Sequence, residues 1–142
     1  MKSLFFIVAI IMLAYFSASA QKLKDSQVPA SVKNTFEKKY PVIRGNWDKE
    51  DANYEVNFKQ DGRSMSVLID VNGTIVETET DIPVGNLPQP VKTYMQKHYT
   101  GLKIKEAAKI VKASGEINYE AEVNKKDIVF DANGNFLKEA ND

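Results

Sequence analysis

Apolar side chains recur at every fourth position in two separate stretches of the chain. They are Val28, Val32, Phe36 and Tyr40 in the first stretch, and Leu87, Val91, Met95 and Tyr99 in the second. This spacing places the apolar residues on one face of an α-helix and leaves lysines on the other face. The pattern therefore predicts two amphipathic helices, each with one stripe that packs on a core.

After each predicted helix the period of the pattern changes to two. Tyr54, Val56 and Phe58 alternate with polar residues, and Met65 and Val67 continue the alternation in the next segment. Such alternation is typical of half-buried antiparallel strands. Segment 103–112 has helical propensity, but its counterpart 42–49 is rich in β-formers, so we predict a strand there.

Turn signals separate the predicted strands. Asp61-Gly62, Asn72-Gly73 and Asn133-Gly134 each join a short polar residue to a glycine. Tight hairpin turns need successive positive φ angles, which suit these residue types. We therefore expect a two-residue hairpin turn at each of the three positions.

The two halves of the chain repeat one unit. Val28-Pro29 returns as Leu87-Pro88, and Asp70-x-Asn72-Gly73 returns as Asp131-x-Asn133-Gly134. The repeat predicts an α+β fold of two tandem units, each one helix followed by an antiparallel meander of about four strands, with the helices on one sheet face. The predicted divisions are an N-terminal linker at 21–27, unit 1 at 28–80, a linker at 81–86 and unit 2 at 87–140.

Residues 1–20 have the features of a secretory signal peptide. Lys2 precedes an apolar run, and Ala18 and Ala20 predict cleavage before Gln21. The run is shorter than the roughly 20 residues that span a bilayer. We expect a periplasmic or secreted protein with no membrane span after cleavage.

Composition narrows the function classes. The 142 residues include 19 Lys and Arg, 19 Asp and Glu, and no Cys. Disulfides and thiolate ligands are therefore excluded, and the balanced charge without a basic block argues against a nucleic-acid partner.

We find no recognised catalytic motif in the sequence. His98 is the single imidazole, and we expect it at a solvated helix rim. There is no G-x-S-x-G elbow and no set of zinc ligands. We predict no catalytic residue and no cofactor.

Acidic and amide side chains leave a calcium alternative open. The two D-x-N-G turns offer hard oxygen ligands from Asp70, Asn72, Asp131 and Asn133, although they lack the further acidic positions of an EF-hand loop. Glu77, Glu79 and Asp81 are interpreted as a solvated strand end that leads into the 81–86 linker. Hairpin geometry is the preferred explanation of both turns.

The chain resembles the PepSY-like, β-lactamase-inhibitor-like domains of Bacteroidota envelope proteins. The resemblance rests on the helix openings, the Tyr54-Glu55 and Tyr119-Glu120 pairs, the D-x-N-G turns and the signal peptide. The resemblance covers the mature chain and implies an exported, non-enzymatic domain. PepSY domains modulate peptidases, and β-lactamase inhibitor proteins of this architecture bind their target on a concave sheet. In this sequence the strand aromatics are assigned to the helix side, so no inhibitory residue of the family can be assigned.

The opposite sheet face is the predicted partner-binding surface. Its polar residues are Arg44, Asn46, Glu55, Asn57, Lys59, Ser64 and Ser66. The sequence thus predicts a binding or modulator domain for a protein or peptide, such as a peptidase or another envelope hydrolase. The alternative function is a small-ligand or calcium-responsive envelope sensor.

Overall fold

The computed structural model describes residues 20–141, so the predicted signal peptide, residues 1–20, lies outside it except for Ala20. The described chain forms two α-helices and nine β-strands. They are β1 (Gln21–Leu23), α1 (Ala30–Lys39), β2 (Asn46–Glu50), β3 (Asn53–Gln60), β4 (Arg63–Ile69), β5 (Ile75–Asp81), α2 (Gln89–His98), β6 (Glu106–Lys112), β7 (Ile117–Val123), β8 (Lys126–Asp131) and β9 (Phe136–Asn141). Among these residues no helix is both long and apolar enough to cross a bilayer.

All nine strands belong to one antiparallel sheet whose spatial order follows the chain from β1 to β9. The two halves join through β5 and β6, where Asp81 lies opposite Ala108. Segment 103–112, predicted as a strand, contains β6. The two units therefore share one continuous sheet.

The predicted number of strands was too low. Four strands per unit account for β2 to β9, and β1 is additional. It lies in the segment expected to be a linker and pairs with β2, with Leu23 opposite Trp47. Leu23 packs against the first core, which explains why so short a segment is held in the sheet.

The first core lies between α1 and the first half of the sheet. Val32 and Phe36 project from the helix onto Val56 and Val67 of the strands. Phe36 also contacts Trp47 edge-on, with ring centroids 5.6 Å apart. The predicted stripe of α1 is therefore the core-facing surface of the helix.

A second core lies between α2 and the other half of the sheet. Val91 and Met95 of α2 pack over Ala121, Ile128 and Phe130. Strand register places the core residues of both halves on the same side of the sheet, because directly opposed residues point to the same face. Both helices thus cover one face, as the sequence predicts, and leave the other face open.

The D-x-N-G turns differ from the expected hairpin. Asp61 and Gly62 both have positive φ, as expected for their turn, but only the glycine is positive at Asn72-Gly73 and at Asn133-Gly134. In the first of these turns Asp70 accepts hydrogen bonds from the backbone N–H groups of Asn72 and Thr74, both at 2.9 Å. The aspartate therefore stabilises a wider turn that needs a single left-handed residue.

Candidate functional site

The open sheet face brings together six of the seven predicted partner-binding residues. In one row across the strands, Asn46 lies opposite Asn57, which lies opposite Ser66. Lys59 and Ser64 are paired in a neighbouring row. These rows place residues from β2, β3 and β4 side by side on a surface that the helices do not cover. Glu55 lies on the same surface.

Arg44 lies elsewhere. It precedes β2, in the connection that follows α1, and lines a cleft together with Phe36 and Trp47 of the first core. Sequence analysis continued the strand alternation back to Arg44, but β2 begins only at Asn46. Arg44 is therefore separate from the open face.

Acidic residues dominate the open face, which sequence analysis did not recognise. They are Asp48, Glu50, Glu55, Glu77, Glu79, Asp81, Glu106, Glu120, Glu122 and Asp127. The lysines on the same face are Lys22, Lys59, Lys112 and Lys138. The surface therefore carries an excess of negative charge although the whole chain is balanced. The name acidic face is used below for this set of carboxylates.

Glu79 lies at the centre of the acidic face. It is on β5, the middle strand of the sheet, between Ser66 and Ile110. Burial, and after it the neighbouring charges of Glu55, Asp81, Glu77 and Asp127, together raise the pKa of its carboxyl group to about 7. Sequence analysis expected Glu79 to be solvated at a strand end. In the structure its carboxyl group is partly buried and surrounded by like charges.

The signal for this residue was present in the sequence. Glu77, Glu79 and Asp81 alternate with threonines, which is the period of a strand. They were interpreted as a solvated strand end that leads into the linker, because the pairing of β5 with β6 cannot be read from the local pattern.

Amide groups bridge some of the carboxylates. Asn57 Nδ2 donates to Asp48 Oδ2 at 3.2 Å and to Glu55 Oε2 at 3.3 Å. One neutral donor shared between two carboxylates reduces their repulsion without removing a charge. This corner of the acidic face therefore remains negative.

The sheet curls towards the acidic face. The pKa of Glu50 on β2 is raised by burial and by nearby carboxylates, and Lys138 on β9 acts in the opposite direction. In a flat sheet seven strand spacings would separate these strands by roughly 30 Å or more. The curl also explains why Ile110 and Val129, which point away from the helices, are only 7% and 5% exposed. The acidic face is therefore a concave trough.

A family model matches the sequence twice, over residues 15–77 and 52–138. It describes a family that is "beta-lactamase-inhibitor-like, PepSY-like". The chain belongs to this PepSY-like family. A search of curated proteins found no significant match.

Several solved structures share the fold of this PepSY-like protein. A "putative periplasmic" protein of Bacteroides eggerthii is 20% identical with a TM-score of 0.71, over 80% of this chain and 88% of that one. A DUF2874 family protein of Bacteroides uniformis has the same identity and coverage and a TM-score of 0.69. A BLIP-like protein of Bacteroides fragilis is 24% identical with a TM-score of 0.58, over 80% of this chain and 86% of that one. At this identity the likeness establishes the fold.

The candidate calcium ligands of this PepSY-like protein lie in two separate turns. Asp131 repeats the arrangement of Asp70, since its Oδ1 atom accepts from the backbone N–H groups of Asn133 and Asn135. Hydrogen bonds from Asn135 lower the pKa of the Asp131 carboxyl group. Within residues 20–141 no group of three or more His, Cys, Asp or Glu side chains is placed to hold a metal ion. In both D-x-N-G motifs the aspartate therefore accepts hydrogen bonds from backbone amides of its own turn.

His98 lies exposed at the end of α2. Its ring stacks on Tyr94 with the centroids 4.1 Å apart. Tyr94 also stacks on Phe136, the first residue of β9. The structure therefore uses the His98 ring for packing at the helix rim, where sequence analysis expected it.

Proposed function

We propose that this PepSY-like protein is exported to the periplasm and acts there as a binding or modulator domain. Its concave acidic face engages a basic segment of a protein or peptide, and the domain catalyses no reaction. The observation that carries the proposal is the group of carboxylates around Glu79 at the centre of the open face, where burial and four neighbouring charges raise the pKa of Glu79 to about 7. A group in this environment is destabilised when charged, and a cationic partner would relieve that repulsion.

The shape of the trough supports a segment of chain as the partner. Its rows run across several strands, and its floor contains the buried side chains Ile110 and Val129 beneath the carboxylates. A basic loop or extended segment would place lysine or arginine groups against the carboxylates. The contact would rest on charge complementarity, which orients specific partners and speeds their association.

Descriptions of the relatives support the location and the kind of partner. The Bacteroides eggerthii protein is described as periplasmic, and the Bacteroides fragilis protein as BLIP-like. The family description, inhibitor-like, favours a protein target. A peptidase or another envelope hydrolase is therefore the first target class to test. The predicted signal peptide, with Ala18, Ala20 and Gln21 at the cleavage site, agrees with export.

The test is affinity capture from envelope extract with three baits that begin at Gln21. The first is the native sequence, and the second carries Glu55→Gln, Glu77→Gln and Glu79→Gln on the acidic face. The third is a control with the same change of net charge at exposed positions, Glu37→Gln, Asp61→Asn and Glu116→Gln. We expect one partner to be captured by the native and control baits and lost from the acidic-face bait.

Salt and pH provide a second readout of the captured complex. Its affinity should fall as salt rises, because screening weakens contacts between exposed charges. It should strengthen as the pH rises through about 7, since Glu79 then becomes charged. Equal capture by all three baits would contradict the proposal. So would an affinity that changes with neither salt nor pH.

A further inference from the structure

Two clefts on the helix side of the molecule occupy equivalent places in the two units. Each lies between its helix, the connection that follows the helix and the single 3₁₀ turn that precedes it. The first has a volume of about 780 Å³ and the second about 670 Å³. Their linings correspond at an interval of 59 residues, for example Lys33 with Lys92 and Phe36 with Met95. The first is called the α1 cleft and the second the α2 cleft.

The α1 cleft contains charges of both signs. Lys33 Nζ forms an ion pair with Asp25 Oδ2 at 3.1 Å, and Glu37 and Arg44 also line the cleft. The positive groups therefore have acidic neighbours within the same cleft. A further anion would gain little there, because the charges already compensate one another.

The α2 cleft has lost the acidic members of this set. Val84 occupies the place of Asp25, and Gln96 occupies the place of Glu37. The two positive groups are kept, with Lys92 in the place of Lys33 and Lys103 in the place of Arg44, and Lys105 is an additional one. This replacement leaves three lysines around a cleft whose own lining contains no carboxylate.

The lysines differ in how far their charge is compensated. Lys105 pairs with Glu122 at 3.5 Å. Lys92 Nζ donates to the carbonyl oxygen of Gly85 at 2.9 Å, which orients the ammonium group but leaves its charge. Within residues 20–141 no carboxylate lies at ion-pair distance from Lys92 or Lys103. The cleft therefore offers a net positive field to a ligand.

Part of the lining of the α2 cleft is apolar. Its apolar residues are Val84, Met95, Leu102 and Ile104. Met95 is buried in the second core, whereas Leu102 is 48% exposed at the rim. Pockets for small molecules measure roughly 300 to 1,000 Å³ and combine an apolar lining with a few placed polar groups. The α2 cleft meets both conditions.

We infer that the α2 cleft binds a free amphipathic organic anion, a small molecule with one anionic group and an apolar body. The apolar body lies on Met95, Leu102 and Ile104, and the anionic group lies among Lys92, Lys103 and Lys105. A concave site of this volume suits a monomeric ligand, whereas the strongly acidic opposite face disfavours approach to an anionic membrane. This site meets the acidic face through the ion pair of Lys105 with Glu122, but it does not depend on the function proposed for that face.

The test is a titration of the full mature chain with dodecanoate below its micellar concentration, followed by NMR. We expect the side-chain resonances of Met95, Leu102 and Ile104 to shift. Acetate, which lacks the apolar body, and dodecyltrimethylammonium, which has the opposite charge, should cause no such shifts. Trp47, the single tryptophan, lines the α1 cleft, so its fluorescence should stay constant and report that this cleft is empty.

Two exposed positions allow a variant that leaves the core untouched. Gln96→Glu with Lys103→Glu should weaken dodecanoate binding at least roughly tenfold, because both changes place negative charge beside the anionic group. The control, Gln89→Glu with Lys97→Glu, makes the same change of charge on exposed positions of α2 outside the cleft lining. It should bind as the native protein does, and equal thermal unfolding of the three proteins would show that the fold is intact.

Three results would overturn the inference. One is equal loss of binding in the variant and the control, which would mean a general charge effect. Another is a change of Trp47 fluorescence with no shifts in the α2 cleft, which would move the ligand to the α1 cleft. The third is sedimentation with phosphatidylglycerol vesicles without binding of monomeric dodecanoate, which would assign the lysines to a membrane surface.

Discussion

Gly73, in the turn between β4 and β5, lies so close to Ser31 on α1 that a Cβ atom at position 73 would approach the Ser31 carbonyl oxygen to 2.8 Å. Hydrogen bonds hold the contact, since Ser31 Oγ donates to the carbonyl oxygen of Val71 at 2.7 Å. The second unit repeats it at Gly134, where a Cβ would approach Pro90 Cβ to 2.5 Å. The D-x-N-G turns therefore fix each helix on the sheet.

Substitution of Gly73 tests this docking contact. Gly73→Ala should lower the free energy of unfolding by about 3 kcal/mol, because it adds a clash with backbone to a residue at positive φ. Gly62→Ala is the control, since Gly62 also has positive φ but nothing lies within 4 Å of its added Cβ. We expect that control to cost only about 1 kcal/mol. Equal losses in urea unfolding would refute the docking role.

Val42 offers a test of backbone strain in the connection after α1. It has a φ of 64° and a relative exposure of 104%, so its side chain gains no burial. Its equivalent in the second unit is Gly101, with a φ of 77°. A β-branched residue is strained in this region. Val42→Gly should therefore stabilise the protein by about 0.5 to 1 kcal/mol in urea unfolding, after the greater chain entropy of glycine is subtracted.

The reciprocal substitution provides the control for Val42. Gly101→Val should destabilise the protein by about 1 to 2 kcal/mol, since it introduces the same strain without a compensating contact. If Val42→Gly were destabilising while Gly101→Val was neutral, the assigned conformations of the two connections would be wrong.

Glu79 makes stability depend on pH. Its pKa rises from 4.5 to about 7 in the folded protein. Between these values the unfolded chain has released the proton while the folded chain keeps it, so the free energy of unfolding falls as pH rises. The loss is almost complete about one pH unit above 7 and amounts to about 3 kcal/mol.

Glu79→Gln should remove that dependence. The variant should be more stable than the native protein above pH 7 and equally stable below pH 4.5, where the native carboxyl group is protonated in both states. Urea unfolding at the two ends of this range gives the comparison, with Glu37→Gln on the exposed side of α1 as control. A native pKa near 4.5 in a carboxyl NMR titration would contradict the assigned surroundings of Glu79.

A hydrogen bond ties the end of α2 to the last strand. Tyr99 Oη donates to Glu139 Oε2 at 2.5 Å, and Lys126 Nζ lies 2.6 Å from Glu139 Oε1. Burial and the contact with Glu139 raise the pKa of the Tyr99 hydroxyl to about 12. Tyr99→Phe should therefore loosen β9 and accelerate amide hydrogen exchange at positions 138–141.

Tyr94→Phe is the matched control for that experiment. It also removes a tyrosine hydroxyl from α2 but keeps the ring that stacks on Phe136. Exchange in β9 should be close to native in this variant. Equal acceleration in both variants would show that the ring packing, and not the bond to Glu139, holds the strand.

Local pattern predicted most of the fold. The stripe from Val32 to Phe36 and the alternation at Val56 and Phe58 depend on neighbours within a few residues, so the helices, the strands and their core sides followed from spacing. Strand β1 did not, because three residues at a sheet edge carry no periodic signal. Its place depends on Leu23 finding a core that the rest of the chain builds.

The acidic face required long-range information. Glu79 acquires its surroundings from Glu55 on β3 and Asp127 on β8, which are far away in sequence. Strand register and the curl of the sheet bring these residues together, and a single sequence reveals neither. Residues of one hairpin region, such as Asn57 and Ser66, were placed on the same face because their pairing follows from the turn at Asp61-Gly62.

The pairing of β5 with β6 also affects solubility. Two separate units would each end in unpaired strands, and such edges act as templates for aggregation. In the continuous sheet the edges formed by β5 and β6 pair with each other and are no longer exposed. The remaining edges, β1 and β9, are poor templates, since β1 has three residues and β9 carries Lys138 and Glu139. An isolated unit cut between β5 and β6 is therefore expected to associate with other copies even if its own core remains intact.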